Sequence, residues 1–259
     1  MSTKEIFGYY KKYDQRFGLP LKHKWKTFAQ PKTDKERLKI GYVSPDFNQH
    51  SMQNFLMPTL THHNHNKFEI FAFAELKKED RVSLEYKPHI DNWIRTDRMN
   101  DNQLVEKIRE LEIDILVDLA GHTLGNRLKV FAQKPAPVSL SWFIGYNYTT
   151  GLSAIDYFLT DKVMAPKGSE HLFLEKPWQL KNHTYCCYKA QENMDKVTPL
   201  PALSNGFITF GTLTRTIRIN DRVIKTWADI LKQVPNAKLI LNSRNFFNNL
   251  KTVSEFKKK

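Results

Sequence analysis

The sequence is poor in cysteine and has no long apolar run. Its 259 residues include two cysteines, the adjacent Cys186 and Cys187, whose spacing suits neither an ordinary disulfide nor a zinc pair. No stretch approaches the roughly 18 consecutive apolar residues of a membrane-spanning helix. The first residues, MSTKEIFGYYKKYDQRF, lack the apolar segment of a secretory signal. These absences predict a protein of the reducing cytoplasm with no membrane partner.

Several motifs that identify enzyme classes are also missing. The sequence contains no G-x-G-x-x-G, P-loop, G-x-S-x-G or H-E-x-x-H pattern. The run His62-His63-Asn64-His65 has no second group of ligands near it in the sequence, and we interpret it as a solvated helix end. The sequence therefore predicts no metal site.

Positive charge is abundant, with 40 Lys and Arg against 27 Asp and Glu, a net charge of +13. Residues 1–40 alone hold eleven basic and four acidic residues. Such an excess favours anionic partners. It is also typical of a Lys- and Asn-rich coding bias, and we prefer this second interpretation of the charge. Since no zinc-finger or RNP1 pattern accompanies the charge, nucleic acid is not expected as a partner.

Short apolar runs alternate with amphipathic segments, a pattern typical of βαβ units and a parallel sheet. The predicted strands are 38–43, 67–74, 114–119, 137–143 and 155–160, and the predicted helices are 3–16, 51–62 and 101–111. A second unit is predicted from strands 207–210 and 238–241 around a helix 220–233 capped by Asn220, with another helix beginning at 246.

This pattern divides the chain into three parts. Residues 1–37 form a basic helical lead-in, residues 38–200 an N-terminal Rossmann-like domain, and residues 201–259 the beginning of a second domain. We expect the second domain to be incomplete, because a doubly wound domain needs four or more strands and only two are visible.

Four loops follow the carboxyl ends of predicted strands: 44–51, 120–127, 145–151 and 211–219. In an α/β sheet the ligand binds at this end of the strands. His50, in the first loop, precedes a helix whose N-terminus favours the neutral imidazole, so it could accept a proton. An ordinary exposed or capping histidine is the alternative interpretation.

The other three loops offer polar groups at strand ends, and two of them, 145–151 and 211–219, could bind an anion. His122 lies between the glycines of the second loop, and Thr150 lies in a turn that begins at Gly145. Arg215 and Arg218 precede a predicted helix N-terminus, an arrangement that suits a diphosphate. A purely structural turn and two solvated arginines remain the alternatives.

Four sequence blocks together closely resemble the catalytic region of the protein O-linked N-acetylglucosamine transferases, particularly the bacterial members with tetratricopeptide repeats. The blocks are RLKIGYVSPDFNQHS, DILVDLAGHTLGNRLKVFAQKPAPVSLSW, IGYNYTTGLSAIDYFLTD and GFITFGTLTRTIRINDRVIKTWADILKQVPNAKLIL. The resemblance implies an α/β chain of GT-B type, with one Rossmann-like parallel-sheet domain and the beginning of a second. It also implies that N-acetylglucosamine is transferred from UDP-GlcNAc to Ser/Thr hydroxyls of a polypeptide. This transfer inverts the configuration of the sugar and needs no metal or cofactor.

The resemblance assigns roles to individual residues. The family histidine considered as the base falls on His50, and the glycine close to the nucleotide-sugar falls on Gly145. The family lysine that stabilises the leaving diphosphate falls on Arg218, three residues after Arg215. His122 and Thr150 are the further candidates for donor contacts.

The sequence departs from the family pattern in places. Arg218 replaces the lysine, the segment KPWQLKNHTYCCYKAQ differs from the family's usual Pro-rich stretch, and the family's uridine pocket has no counterpart. We therefore expect a truncated transferase with little activity. The alternative is a non-catalytic remnant that acts as a protein-binding module.

Overall fold

The apolar runs form strands in the computed structural model of the chain, which describes residues 2–28, 36–142, 145, 148–181, 186, 188, 196–214 and 218–242. The first seven strands are β1 (Leu38–Ser44), β2 (Phe68–Ala74), β3 (Asn92–Arg95), β4 (Ile115–Asp118), β5 (Val138–Ser141), β6 (Tyr157–Thr160) and β7 (Lys176–Gln179). The helices with them are α1 (Thr3–Tyr13), α2 (Gln53–Leu60), α3 (Arg81–Tyr86), α4 (Asp101–Glu110) and α5 (Leu128–Phe131). A π-helical turn (Asp14–Gly18) and a 3₁₀ segment (Leu19–Lys24) continue α1.

These strands form one parallel sheet in the order β3-β2-β1-β4-β5-β6-β7. The sheet begins with β1, adds β2 and β3 on one side, and then adds β4 on the other side of β1. This is the doubly wound order of a Rossmann-like domain, and it places a topological switch point between β1 and β4.

Alternate residues of the central strands supply a separate apolar core on each face of the sheet. In β1, Ile40 and Tyr42 belong to one core, while Val43 belongs to the other. Each fully buried aliphatic or aromatic side chain contributes about 1.5–3 kcal/mol through loss of apolar surface. Gly41 leaves room for the second core, because a Cβ there would lie 2.7 Å from the ring of Phe73.

Two helix starts explain why the segments between strands fold locally. The Asn100 side chain accepts from the backbone amide of Gln103, whose side chain accepts from the Asn100 amide, forming a capping box at α4. Asp80 and Ser83 form the corresponding box at α3. The capping box and the apolar spacing of α4 agree with the helix predicted over 101–111.

The structure adds two strands that the sequence pattern does not predict. Both β3 and β7 are edge strands of four residues, with no buried residue in either. Pro177 lies inside β7, which is tolerated because one side of an edge strand has no hydrogen-bonding partner. Without a continuous apolar run, neither strand carries a signal strong enough to be predicted.

The chain divides into two compact units, Met1–Ala190 and Gln191–Lys259. The second unit contains α6 (Pro201–Asn205), β8 (Thr209–Thr212), α7 (Asp221–Gln233) and β9 (Lys238–Leu241). β8 and β9 pair in parallel, and Asn220 caps α7 as predicted, its side chain accepting from the Val223 amide. The helix predicted from residue 246 lies outside the described residues.

The α/β fold class predicted from the sequence is confirmed by the seven-stranded parallel sheet and the small second sheet. Among the described residues, no helix has the length and apolar character needed to span a bilayer.

Candidate active site

The loops after β1 and β4 lie side by side at the switch point of the sheet. β1 pairs directly with β4, from Ile40 with Ile115 to Val43 with Asp118. The two segments leave this point toward opposite faces of the sheet, since Leu56 of α2 belongs to one apolar core and Leu128 of α5 to the other. The sequence-predicted loops 44–51 and 120–127 both begin here.

The loop after β1 is held in place by the N-terminus of α3. Phe47 is fully buried and packs edge-on against Tyr86. The Ser83 hydroxyl donates to the Phe47 carbonyl at 2.8 Å, and the Gln49 amide donates to the Asp80 carboxylate at 2.7 Å. These contacts fix the loop just before His50.

His50 lies at the surface with its ring 48 % exposed. Its Nδ1 lies 3.6 Å from a carboxylate oxygen of Asp46 and accepts from the Met52 amide at 3.3 Å. Burial raises the pKa of Asp46, and the nearby His50 opposes that shift. Asp46 was not among the predicted site residues, although its position four residues before His50 in the same loop is a usable signal.

The loop after β4 turns around the carboxylate of Asp118, which is 1 % exposed. The amides of Ala120 and Gly121 donate to it, each at 3.1 Å, and the Ser141 hydroxyl donates at 2.8 Å. Burial raises the pKa of Asp118 while these hydrogen bonds oppose the shift. Gly121 has φ +51°, so the turn uses a backbone conformation that favours glycine.

His122 connects the loop after β4 with the loop after β5. Its Nε2 lies 2.6 Å from the Thr150 carbonyl oxygen, and since a carbonyl can only accept, Nε2 carries the proton. Edge-on contacts with Tyr10 of α1 and with Tyr13 support the ring. The structure thus brings together two of the residues predicted to contact a ligand.

The loop after β5 presents some predicted residues to solvent and buries others. Gly145 is exposed, whereas Thr150 is 2 % exposed. The Thr150 amide and hydroxyl donate to Glu175 and its carbonyl accepts from His122. Thr150 is therefore placed to hold the loop, with its polar groups already engaged. Glu175 was missed by sequence reasoning, since no local pattern marks it.

A cavity of about 20 Å³ lies beside His122, roughly enough for one water molecule. Residues of α1, of β5 and β6, and of the loops after β4 and β5 line it: Tyr10, Gly121, His122, Ser141, Tyr148, Thr149, Thr150 and Phe158. Tyr10 closes one side, because the α1 backbone approaches Gly151 so closely that a Cβ there would lie 2.8 Å from the Tyr10 carbonyl oxygen.

The remaining predicted residues belong to the second unit. Arg218 is exposed and lies two residues before Asn220, the N-cap of α7. Arg215 lies outside the described residues. Within the part of the chain that the structure describes, no group of three His, Cys, Asp or Glu residues could hold a metal ion.

Comparisons with known proteins identify the family and the fold of the chain. Residues 19–198 match the family model described as Glycosyl transferase family 41. The chain is 34 % identical over 249 residues to a Hordeum vulgare protein named as a probable UDP-N-acetylglucosamine–peptide N-acetylglucosaminyltransferase, SPINDLY; the match covers 95 % of this chain and 26 % of that protein. The SPINDLY protein of Arabidopsis thaliana is 36 % identical over 218 residues, which cover 82 % of this chain and 24 % of that protein.

A solved structure of a mutant O-GlcNAc transferase from Thermobaculum terrenum superposes with a TM-score of 0.88 at 28 % identity, covering 99 % of this chain and 48 % of that one. The chain thus spans about a quarter of the length of these curated relatives and about half of the solved structure. More than half of the chain matches the family model, and its α/β fold matches that of a solved O-GlcNAc transferase of GT-B type. The chain belongs to glycosyl transferase family 41, the O-GlcNAc transferase family.

Proposed function

We propose that this chain carries part of the active site of a protein glycosyltransferase that moves N-acetylglucosamine from UDP-GlcNAc to a Ser or Thr hydroxyl by an inverting displacement without a metal. The observation that carries the proposal is the placement of His50 and His122 on adjacent loops at the switch point of the sheet. Open α/β sheets bind their ligands at the topological switch point. Family membership narrows the ligand to a UDP-sugar.

In the proposed reaction, His50 accepts the proton of the acceptor hydroxyl. A base needs its lone pair on the nitrogen that faces the substrate, so the proton must lie on the other ring nitrogen. Asp46, 3.6 Å from Nδ1, would stabilise a proton there and leave the lone pair on Nε2. In the structure Nδ1 accepts from the Met52 amide, so reaching this state requires the neutral ring to release its proton from Nε2 and take one up at Nδ1 as that nitrogen turns to Asp46.

The leaving UDP carries the negative charge that develops during the displacement. Arg218 would offset it, together with Arg215 and the amides at the N-terminus of α7. An arginine keeps its charge at any physiological pH and binds phosphate through two donors, whereas a lysine binds as a single charged group. Gly145, Thr150 and His122 are the proposed contacts or supports for the donor in the first unit.

The proposed partners follow from this chemistry. A UDP-sugar is the donor and a polypeptide with accessible Ser or Thr hydroxyls is the acceptor. Neither a membrane nor a nucleic acid takes part, and the cytoplasmic location stays a prediction.

Calorimetric titration of UDP into the 259-residue chain tests the donor part of this proposal. Arg218→Ala should weaken UDP binding by at least about tenfold, because a charge-assisted pair with phosphate contributes roughly 1.5–3 kcal/mol. Arg222→Ala, which removes an exposed arginine inside α7, is the matched control and should leave affinity within about twofold.

Transfer of labelled N-acetylglucosamine from UDP-GlcNAc to a Ser/Thr-containing peptide is the second measurement. UDP binding without turnover would support a donor half-site in an inactive copy. A folded chain that binds no UDP would contradict the proposal and favour the non-catalytic protein-binding module.

A further inference from the structure

Glu175 is a buried carboxylate that the proposed reaction does not use. It lies immediately before β7 and is 3 % exposed. Within the described residues, no lysine, arginine or histidine forms an ion pair with it. A carboxylate is costly to bury unless other groups donate hydrogen bonds to it, so its partners explain why it lies there.

Its partners are two consecutive residues of the loop after β5. The Thr149 hydroxyl donates to Oε2 at 2.5 Å, and the Thr150 amide donates to Oε1 at 2.7 Å. The Thr150 hydroxyl also bonds to Oε1. Both carboxylate oxygens are thus directed at the same turn of the chain.

The direction of the Thr149 hydrogen bond is fixed by its other contacts. The Thr149 oxygen accepts from the Gly151 amide at 3.0 Å and from the Leu174 amide at 3.2 Å. Because a hydroxyl has two acceptor positions and one proton, that proton must point at Glu175. Thr149 and Thr150 donate to different oxygens of Glu175. A glutamine at 175 has only one oxygen, so its NH₂ group would face one of these two donors without accepting from it.

The same turn connects Glu175 with His122. The Thr150 carbonyl accepts from His122 Nε2 at 2.6 Å. Glu175 therefore orders Thr150, and Thr150 fixes both the orientation of the imidazole and the nitrogen that carries its proton.

We propose that Glu175 is a positioning residue for donor binding: it holds the Thr149–Thr150 turn and, through the Thr150 carbonyl, the ring of His122 beside the cavity. This inference rests on the proposed function for the identity of the ligand, but its claim about His122 can be tested without any ligand.

The test compares Glu175→Gln and Thr149→Val in the full 259-residue chain. Hydrogen exchange of the Thr150 and Gly151 amides should become at least about tenfold faster in both variants. The imidazole NMR signal of His122 should lose the single Nε2–H tautomer. UDP-GlcNAc affinity, measured by calorimetry, should fall by about tenfold. Thr149→Ser keeps the hydroxyl and should restore all three properties.

Asp156→Asn is the matched control. Asp156 directly precedes β6, as Glu175 directly precedes β7. It accepts from the Ser139 amide at 2.8 Å and pairs with Lys134 at 2.5 Å. Its replacement should lower the unfolding temperature to a similar degree and leave His122 and UDP-GlcNAc affinity unchanged.

The results separate the two proposals. A His122 signal and exchange rates in Glu175→Gln that match the wild type overturn the positioning role. Equal UDP-GlcNAc affinity in Glu175→Gln and Asp156→Asn would also overturn it, since Glu175 would then be a structural residue only. A wild-type chain that binds no UDP-GlcNAc overturns the proposed function, and the ligand-free His122 measurements still decide the positioning claim.

Discussion

Tyr42 of β1 and His63, which follows α2, form a polar pair. The Tyr42 hydroxyl and His63 Nε2 share a hydrogen bond of 2.8 Å. Burial lowers the pKa of His63, nearby His65 lowers it further, and Asp91 opposes the shift. Burial also raises the pKa of Tyr42. A neutral imidazole beside a neutral phenol is therefore the stable form in the folded chain.

This pair predicts a pH-dependent stability. The unfolded chain binds a proton at His63 below about pH 6.5, whereas the folded chain binds it only at lower pH. The contribution of His63 to stability is thus present above about pH 6.5 and is lost as the pH falls. Urea denaturation near pH 7.5 and near pH 5.5 measures it, and His63→Gln should show a smaller loss than the wild type.

Exposed His62 provides the control, since His62→Gln should retain the wild-type dependence. Burial raises the pKa values of Asp118 and Glu175, so these two groups favour the folded chain as the pH falls. Their effect on stability is the same in every variant and cancels in the comparison. An unchanged pH dependence in His63→Gln would contradict the prediction.

Single residues of the site are predictable where position along the chain carries the signal. His50 and His122 both follow predicted strands, and the structure shows that these strands, β1 and β4, are neighbours in the sheet. Their partners are not predictable in the same way. Glu175 meets Thr150 across 25 residues of sequence, and only the register of β6 with β7 brings them together.

Arg127 joins several elements at the carboxyl ends of the strands, and its side chain is 13 % exposed. Its guanidinium pairs with Glu75, which follows β2, and with Asp101, the first residue of α4. It also donates to the carbonyls of Thr96 and Met99 at 3.0 and 2.7 Å. One side chain therefore fixes where α4 begins relative to the strands.

Arg127→Met should destabilise the first unit by about 3 kcal/mol, because it leaves half-buried carboxylates and two carbonyls without their donor. Arg127→Lys should recover little of this, since an ammonium cannot reach all four acceptors. Urea denaturation followed by circular dichroism measures both variants.

The control is Arg81→Met. Arg81 pairs with Glu85 within α3 and its side chain is 83 % exposed. Exposed pairs contribute less than about 1 kcal/mol, so a loss at Arg127 no larger than that at Arg81 would show that Arg127 does not join these elements.

At the level of elements, the central strands and the helices α4 and α7 follow from apolar periodicity and from caps such as Asn220, whereas the short capped helix α3 was not predicted. The edge strands β3 and β7 do not follow from such patterns, because their pairing depends on a neighbouring strand and not on their own composition. The sequence pattern therefore locates the central strands of the sheet but neither their order nor the width of the sheet.

The two units differ in how much apolar surface they bury. α4 buries Leu104, Val105 and Ile108, whereas α7 has no buried residue. In the second unit Leu213 is 84 % and Ile240 57 % exposed. Packing therefore stabilises α4 far more than α7.

Amide hydrogen exchange followed by mass spectrometry should show this difference. We expect amides of α7 to exchange at least about a hundredfold faster than those of α4, because opening a helix with little buried surface costs less free energy. Both helices are capped by an asparagine side chain, so capping does not explain a difference. Equal protection would mean that another surface covers α7 in solution.

The contact between α1 and Gly151 has a practical consequence for recombinant work on this domain. A boundary drawn at Leu38, where the sheet begins, would remove Tyr10 and Tyr13 from the ring of His122. It would also remove Asp14, which accepts from the Ser153 amide at 3.1 Å. An expression product trimmed in this way would lack one wall of the cavity beside His122, so a loss of UDP binding in it would say nothing about the residues that remain.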